Sequence, residues 1–249
     1  MTDENVSSHA GSWVRTSGDG GLSWGEAVSV EVSSPHGPIQ LACDDLFYFG
    51  KHVLSKEAAV SDMETGGITA LRSSDGGTSW ERLGSVPIIP GTEIDEYHEP
   101  HAVELPGGRI LGLIRRDPNH RDYHNRQPGQ TDFTMCQSVS DDGGRTWSVA
   151  EPLGFHGSPP HLLLHSSGVL LCSYGYREEP FGVRIMLSRD VGESWEYDYI
   201  LRDDGPHPDL GYPSSVELGD GSILTMYYQR PSSVVDKCAL LWSRWELPE

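Results

Sequence analysis

Apolar residues recur along the chain in pairs of short runs, and each pair is separated by a turn of glycine and polar residues. The clearest pair is PHAVELPGGRILGLIRR at 100–116, and PHLLLHSSGVLLCSYGYR at 160–177 and YPSSVELGDGSILTMYYQR at 212–230 have the same form. GPIQLACDDLFYFGK at 37–51 is a weaker copy. Runs of β-prone residues on both sides of a short turn predict a β-hairpin in each segment. No stretch has the period of an amphipathic helix.

A second motif recurs between the hairpins. It reads Ser-x-Asp-x-Gly-x-Ser/Thr-Trp and occurs at 17–24, 73–80, 140–147 and 188–195, with first serines 56, 67 and 48 residues apart. Glycine adopts positive φ without steric cost, and Asp and Ser side chains bond nearby backbone N–H groups, so the motif predicts a turn that closes on itself. The tryptophan begins the next strand and is expected to be buried. We call these four segments Asp boxes.

Together, the two motifs predict a repeating fold. A hairpin, a third strand, an Asp box and a strand led by tryptophan make four antiparallel strands, the content of one β-propeller blade. We therefore predict an all-β propeller of four-stranded antiparallel blades in a single domain, 1–249, with about four to five blades present. The expected units are a half blade at 11–31 and blades at 37–88, 98–153, 158–202 and 210–247. This count fits either a small ring that closes by pairing its two ends or a larger ring that lacks at least an upstream hairpin.

Composition and charge narrow the function. The chain has 249 residues, of which 36% are hydrophobic, and seven tryptophans, which favours a folded domain over disorder. A net charge of −19 argues against partners such as nucleic acid or anionic membrane. No apolar run approaches the roughly 20 residues of a membrane span. The first residues, MTDENVSSHAGSW, do not form a signal peptide, so the chain as it stands is expected to be cytoplasmic.

Cysteines and histidines give no metal or redox motif. The four cysteines are scattered with no C-x-x-C pair and are interpreted as buried thiols in strands. The histidines of the hairpins are divided between two predicted blades without ligand-like spacing. We therefore expect neither a metal nor a cofactor.

The boxes and hairpins together resemble the sialidases (neuraminidases), a superfamily of Asp-box, or BNR-repeat, β-propellers. The resemblance implies a sialidase-like β-propeller, and since the family's ring has six blades, the chain is expected to form an incomplete six-bladed ring that lacks its N-terminal part. In HEPHAVELPGGRILGLIRR, Glu99 and Arg115 lie sixteen residues apart around a Gly turn, as a glutamate and an arginine do in bacterial-type sialidases. Tyr212 in GYPSSVELGDG has the place of the tyrosine that begins the family's late hairpin. Arg184 in FGVRIMLS best fits the family's arginine in a strand that enters a box, and Arg177 in YGYR is the alternative.

The resemblance implies an exo-glycosidase acting on terminal α-linked sialic acid or a related acidic sugar. Tyr212 would be the nucleophile, Glu99 would take its proton, and the arginines would bind the substrate carboxylate. Sialic acid carries that carboxylate on its anomeric carbon, where it repels a carboxylate nucleophile but not a neutral tyrosine. A phenol with a pKa of about 10 needs an adjacent base, and a guanidinium matches a carboxylate bidentately.

Other site residues are expected around this set. His101 and His161 are predicted to line the pocket and contact the sugar. The family's first arginine and its acidic aspartate precede the first box, where this chain has no matching motif. Asp209, which we include among the catalytic residues, Asp95 and Asp45 are the candidates to replace the proton donor. The expected partner is an acidic sugar or sialylated glycan.

Two further interpretations stay open. The late hairpin ends in Tyr-Tyr-Gln at 227–229, where the family usually has Tyr-Glu. A catalytically weak propeller that binds acidic glycans or a protein is therefore the alternative to an enzyme. The third interpretation is a fragment of a complete sialidase.

Overall fold

Regular structure in this protein is almost entirely β. The computed structural model describes residues 11–53, 67–118, 132–234 and 237–248. In these ranges the one helix is a 3-10 turn at Ile94–Glu96, so no helix has the length and hydrophobicity that a bilayer crossing requires. The strands are β1 (Ser12–Val14), β2 (Val28–Val30), β3 (Val32–Ser33), β4 (Ile39–Gln40), β5 (Leu46–His52), β6 (Ile68–Ser73), β7 (Glu81–Ser85), β8 (Tyr97–Glu104), β9 (Ile110–Arg116), β10 (Thr134–Ser140), β11 (Glu151–Pro152), β12 (Pro160–Leu164), β13 (Leu170–Tyr176), β14 (Phe181–Ser188), β15 (Glu196–Gly205), β16 (Leu210–Glu217), β17 (Ile223–Gln229) and β18 (Ala239–Trp245).

The strands form antiparallel sheets in which most strands pair with the next strand in sequence. β8 to β11 and β12 to β15 each make a four-stranded sheet, and β16 to β18 make a three-stranded one. β3, β5, β6 and β7 form a further sheet with β4 also paired to β5, while β1 pairs only with β2. We name the sheets that contain β5, β8, β12 and β16 blades 1, 2, 3 and 4. The prediction of an all-β propeller of antiparallel blades is confirmed, with four blades in the described structure.

The inner strands bring distant parts of the chain together. β8 contacts both β5 and β12, and β12 also contacts β16. Blades of a propeller radiate from a central axis. Side chains at the beginnings of β8, β12 and β16 therefore meet near this axis, although each strand belongs to a different blade.

Apolar clusters fill the spaces between neighbouring blades. Successive side chains of a strand point to opposite faces of its sheet, so a blade with neighbours on both sides needs apolar residues on both faces. This explains the nearly continuous apolar runs of β9 and β13. Three of the clusters combine residues of neighbouring blades, for example Phe49 and Ile114, Leu113 and Leu162, and Leu171 and Ile223.

Each Asp box closes on its aspartate. In the third box, Asp142 Oδ1 accepts hydrogen bonds from the Ser140 hydroxyl (2.9 Å) and the Thr146 N–H (2.8 Å), and Oδ2 accepts one from the Thr146 hydroxyl (2.6 Å). The Ser140 hydroxyl in turn accepts the Gly144 N–H at 2.8 Å, and Gly144 has a φ of 94°. Hydrogen bonds from Thr146 lower the pKa of Asp142 to about 2, because they stabilise the ionised carboxylate.

The box tryptophans differ in burial. Trp147 is 8% exposed and stacks on Phe49 of blade 1, with ring centroids 4.6 Å apart, so this box fastens blade 2 to its neighbour. The expectation that every box tryptophan is buried is wrong for Trp24, whose side chain is 60% exposed. The sheet of β1 and β2 has only two strands of three residues each and offers it little surface, and Trp24 joins none of the apolar clusters of the described residues.

The cysteines are free thiols with two different environments. Cys136 and Cys172 are buried in strands, as expected. Cys43 and Cys238 are exposed, so the interpretation of all four as buried thiols is wrong for these two. Both exposed cysteines lie outside the regular strands or just before one, where no neighbouring sheet covers them.

Candidate active site

Glu99 and Tyr212 occupy equivalent bulges near the start of an inner strand. In blade 2 the pairing of β8 with β9 skips from His98 to His101, and in blade 4 the pairing of β16 with β17 skips from Gly211 to Ser214. Glu99 has a φ of 43° and Tyr212 a φ of 49°, values that non-glycine residues seldom adopt. A bulge redirects a side chain out of the alternating pattern of its strand. Such unusual backbone at two equivalent positions makes Glu99 and Tyr212 candidates for a functional site.

The two redirected side chains meet. The Tyr212 hydroxyl donates a hydrogen bond to Glu99 Oε1. Burial, together with this carboxylate neighbour, raises the pKa of Tyr212 to about 12. The phenol is therefore neutral at pH 7, and its proton already points at a group able to accept it.

Arg115 is held between two carboxylates. Its Nη1 donates to Glu99 Oε2 at 2.6 Å, while its Nε and Nη2 donate to Asp117 Oδ2 at 2.9 and 2.5 Å. Asp117 is buried and also accepts the Phe133 N–H at 3.0 Å. Burial alone would lower the pKa of Arg115, but the two carboxylates raise it above its ordinary value. Three of the five guanidinium N–H groups are thus used, and the arrangement fixes the position of Glu99.

Arg177 lies beside the tyrosine without a carboxylate partner. Its guanidinium carbon is 5.8 Å from the ring centre of Tyr212 and 5.3 Å from that of Phe133. Its Nη2 donates to the Leu210 carbonyl at 3.1 Å, and its buried Nε has no hydrogen-bond partner among the described residues. A positive charge that lies against aromatic rings and forms no direct ion pair with a described residue is suited to bind an anion.

Arg184 points elsewhere. Its side chain is almost fully buried, and its Nη1 and Nη2 donate to the carbonyls of Arg202 (2.7 Å) and Pro180 (3.1 Å). Its guanidinium carbon lies 4.7 Å from the ring centre of Tyr176. The described structure gives it no contact with Tyr212 or Glu99. Of the two arginines that the sequence offered for this place, the structure brings Arg177 to the tyrosine.

Asp209 belongs to a second pair of tyrosine and carboxylate. The Tyr228 hydroxyl donates to Asp209 Oδ1 at 2.8 Å, and Arg230 Nε donates to Oδ2 at 3.1 Å. The Tyr228 ring stacks near that of Tyr212, with centroids 5.8 Å apart. The hydrogen bond from Tyr228 and the charge of Arg230 lower the pKa of Asp209, which favours the ionised form. A general acid needs the opposite shift.

His101 and His161 form a cluster with His36 near the axis. Their ring centroids lie 4.5 to 5.3 Å apart. His101 Nδ1 accepts the Leu162 N–H at 3.0 Å and His161 Nδ1 accepts the Ser215 N–H at 3.2 Å, so each neutral ring carries its proton on Nε2. Burial lowers the pKa of all three histidines, to about 3 for His161 and about 4 for His36.

These histidines are structural links between blades. The residues that donate to His101 and His161 belong to the next blade in each case, so the rings tie neighbouring inner strands together. In the described ranges no group of three histidine, cysteine or acidic side chains is arranged to hold a metal ion. The repeated Pro-His pair, at 35–36, 100–101 and 160–161, was the sequence signal that would have added His36.

The remaining aspartate candidates lie in different places. Asp45 forms an ion pair with Arg72 Nε at 2.6 Å, next to the second Asp box rather than the tyrosine. Asp95 is half-buried on the 3-10 turn just before β8, and its charge partly offsets the lowering of the Lys51 pKa by burial. Lys51, Asp117 and Tyr228 are site residues that the sequence patterns did not single out.

Comparison with known proteins agrees with this fold. The family model described as a BNR repeat-like domain matches residues 12–225. A structure of a protein of unknown function from Dyadobacter fermentans is 23% identical with a TM-score of 0.74, and the match covers 95% of this chain and 64% of that one. No curated protein sequence matches the chain.

Two similar structures are glycosidases by name. A Hadza microbial sialidase is 17% identical with a TM-score of 0.63, covering 87% of this chain and 46% of the sialidase. The GH93 α-L-arabinofuranosidase of Fusarium graminearum, solved with arabinobiose, is 16% identical with a TM-score of 0.60, covering 88% and 65%. The chain thus spans less than two thirds of each of these three structures. At such identities the likeness concerns the fold alone.

Proposed function

Because the chain belongs to the BNR repeat-like domain family, we propose that it is an exo-glycosidase of the sialidase type, which removes a terminal α-linked sialic acid or a related acidic sugar. The observation that carries this proposal is the hydrogen bond from the Tyr212 hydroxyl to the Glu99 carboxylate. The sialidase and the arabinofuranosidase among the similar structures support a sugar as the substrate.

In the proposed reaction Tyr212 attacks the anomeric carbon while Glu99 takes the phenolic proton. The raised pKa of Tyr212 means that a free phenolate is scarce at pH 7, so transfer of the proton must accompany the attack. Arg115 acts as a positioning residue, since it holds Glu99 through Nη1 and is itself fixed by Asp117. A neutral nucleophile avoids repulsion by the carboxylate on the anomeric carbon.

The substrate carboxylate binds to Arg177 in this proposal. Arg177 lies against the Tyr212 ring, has an unpartnered Nε and forms no ion pair within the described residues. Arg115 keeps one free N–H on each of Nη1 and Nη2 and supplies secondary contacts. Arg184 is assigned a structural role, because its donors are taken by backbone carbonyls.

Asp209, His101 and His161 support the site without acting on the sugar. Asp209 fixes Tyr228, whose ring lies beside Tyr212, and its lowered pKa makes it a poor proton donor. The two histidines accept hydrogen bonds from the backbone of the next blade and hold the inner strands that carry Glu99 and Tyr212.

A second candidate function is a propeller that binds acidic glycans with little turnover. The feature that favours it is the neutralisation of Arg115 by Glu99 and Asp117, which leaves Arg177 as the main anchor for a carboxylate. Binding of sialyllactose without its hydrolysis would identify this function.

Hydrolysis of a fluorogenic α-sialoside tests the proposal. The wild-type protein should release the fluorophore, whereas Tyr212→Phe should lose all measurable release with an unchanged circular dichroism spectrum. A fluorogenic α-L-arabinofuranoside should be a poor substrate, because it has no carboxylate for Arg177. Equal rates for the wild-type protein and Tyr212→Phe, or preference for the neutral sugar, would contradict the proposal.

A further inference from the structure

Cleavage of a natural glycoside needs a proton on the leaving oxygen, and the carboxylates around Tyr212 are poor donors. Glu99 receives the phenolic proton in the proposed reaction. Asp117 is ion-paired with Arg115 and Asp209 with Arg230. Asp117 is thus occupied by the Arg115 guanidinium, while the hydrogen bond from Tyr228 and the charge of Arg230 lower the pKa of Asp209, so we expect another group to supply this proton.

Lys51 lies at the place in blade 1 that Arg115 has in blade 2. Lys51 is the sixth residue of β5, and Arg115 is the sixth residue of β9. In the sheets, Lys51 is opposite Ser33 and Arg115 is opposite His98. Equivalent positions of neighbouring blades lie at the same end of a propeller. The ammonium is therefore at the end of the axis that carries Glu99.

The Lys51 side chain crosses from blade 1 to the segment that carries Glu99. Its Nζ lies 3.1 Å from Nδ1 of His98, the residue that precedes Glu99 in β8. Within the described residues no carboxylate oxygen is in hydrogen-bond contact with this ammonium, which has three N–H donors and uses one on His98. Two N–H bonds of the ammonium therefore remain available for a substrate.

The environment of Lys51 also shifts its pKa toward the range in which a lysine acts as a general acid. Burial lowers the pKa of Lys51, because a half-buried ammonium has lost part of its hydration, and the nearby charge of Asp95 partly opposes the effect. Lysines with pKa values lowered to about 7–8 serve as acids and bases in enzymes. The attraction of Asp95 favours the protonated form of the lysine.

We propose that Lys51 is the general acid that protonates the glycosidic oxygen, an inference that rests on the function proposed above. Tyr212 forms a bond to the anomeric carbon, its proton passes to Glu99, and the bond to the leaving oxygen breaks as that oxygen takes a proton from Lys51. In the second step the Lys51 amine takes a proton from water, the water oxygen bonds to the anomeric carbon, and the departing Tyr212 oxygen recovers its proton from Glu99.

The role of Lys51 is tested by comparing how its substitution affects substrates with a poor and a good leaving group. Lys51→Arg keeps a positive charge but cannot donate a proton at pH 7, and Lys51→Met keeps only the aliphatic stem. Both variants should lower kcat/KM for sialyllactose by about 10²–10⁴-fold, because general acid catalysis contributes that much. An aryl sialoside, whose phenolate leaves readily, should lose less than about tenfold. In a plot of kcat/KM for sialyllactose against pH, the wild-type protein should lose activity at alkaline pH as Lys51 loses its proton. This alkaline loss should be absent from both variants.

Three outcomes would overturn the role of Lys51. If Lys51→Arg retains turnover of sialyllactose, the lysine supplies charge and not a proton. If Asp95→Asn shows the selective loss instead, Asp95 is the acid. An NMR titration of Lys51, assigned by comparison with Lys51→Arg, should give a pKa below the ordinary value of about 10.4. A value at or above about 10.4 also refutes the role. This measurement works even if the protein has little turnover. Failure of the proposed function is distinct, since the wild-type protein would then cleave no aryl sialoside.

Discussion

The Tyr212 hydroxyl donates a hydrogen bond to the Glu99 carboxylate, although the two residues lie 113 positions apart in the chain. Both occur at equivalent bulges in the inner strands of blades 2 and 4, and both have positive φ. The repeat therefore places the same backbone irregularity at two points around the axis, and the side chain at each point differs. In this way a fold of repeated blades brings two different side chains, a glutamate and a tyrosine, into contact.

Glu99→Gln should remove proton transfer while keeping most of the local structure. The amide can still accept from the Tyr212 hydroxyl, but it cannot take the phenolic proton, and Tyr212 has a pKa of about 12. We expect the kcat for an aryl sialoside to fall by about 10²–10⁴-fold. Asp117 continues to hold Arg115, so the melting temperature should change little. A variant with wild-type kcat would exclude Glu99 as the base.

Arg177→Met should weaken substrate binding. The Arg177 guanidinium has no acidic partner in the described structure, so its removal leaves no unpaired carboxylate behind and should not destabilise the fold. We expect KM for an aryl sialoside to rise at least tenfold, the loss of about 1.4 kcal/mol of binding, since a charge-assisted bond contributes that much or more. Arg109→Met is the control, because Arg109 pairs with Asp141 on the surface. If both variants bind equally well, Arg177 is not the anchor.

The fold could be read from the sequence because its signals are local. An Asp box needs only eight consecutive residues, and its hydrogen bonds join residues within four positions of one another. The spacing of Glu99 and Arg115 is likewise fixed by one hairpin. Such patterns survive in the sequence whatever surrounds them.

The rest of the site depends on contacts between blades. Arg184 matched the family pattern better than Arg177, but the carbonyls of Arg202 and Pro180 bind its guanidinium. Asp117 follows β9 and is buried only because the Phe133 segment folds over it. The sequence does contain a signal for Lys51, because this residue stands in the weak hairpin at 37–51 at the position that Arg115 has in the hairpin at 100–116. Its importance appears only when blade 2 brings His98 to it.

Trp147→Ala should cost about 3–5 kcal/mol of the free energy of unfolding, as for other large buried aromatic residues. Trp147 packs on Phe49 of the neighbouring blade, so its loss opens a cavity between two blades. Trp24→Ala removes the same side chain from an exposed box and should cost about 0.5 kcal/mol or less. Urea unfolding of both variants gives the comparison. Equal losses would show that the boxes do not fasten blades together.

We expect the protein to lose stability as the pH is lowered from about 4 to about 2. The box aspartates Asp19, Asp75, Asp142 and Asp190 have pKa values lowered to about 2 by hydrogen bonds from their own turns. A group whose pKa is lower in the folded protein stabilises it above the unfolded value, near 3.8, and this contribution is lost as pH falls through the folded value. Asp142→Asn should therefore melt below the wild-type temperature at pH 7, and the gap should close toward pH 2. A difference in melting temperature between the two proteins that stays constant with pH would refute this explanation.

Covalent trapping tests the nucleophile most directly. A fluorinated sialosyl fluoride forms a glycosyl–enzyme bond quickly and loses it slowly, because the second fluorine disfavours the positive charge of the transition state. After incubation and proteolysis, mass spectrometry should place the added sugar on Tyr212, and Tyr212→Phe should remain unlabelled. A sugar on Glu99 or Asp209, or an unlabelled wild-type protein that nevertheless hydrolyses sialosides, would contradict the mechanism.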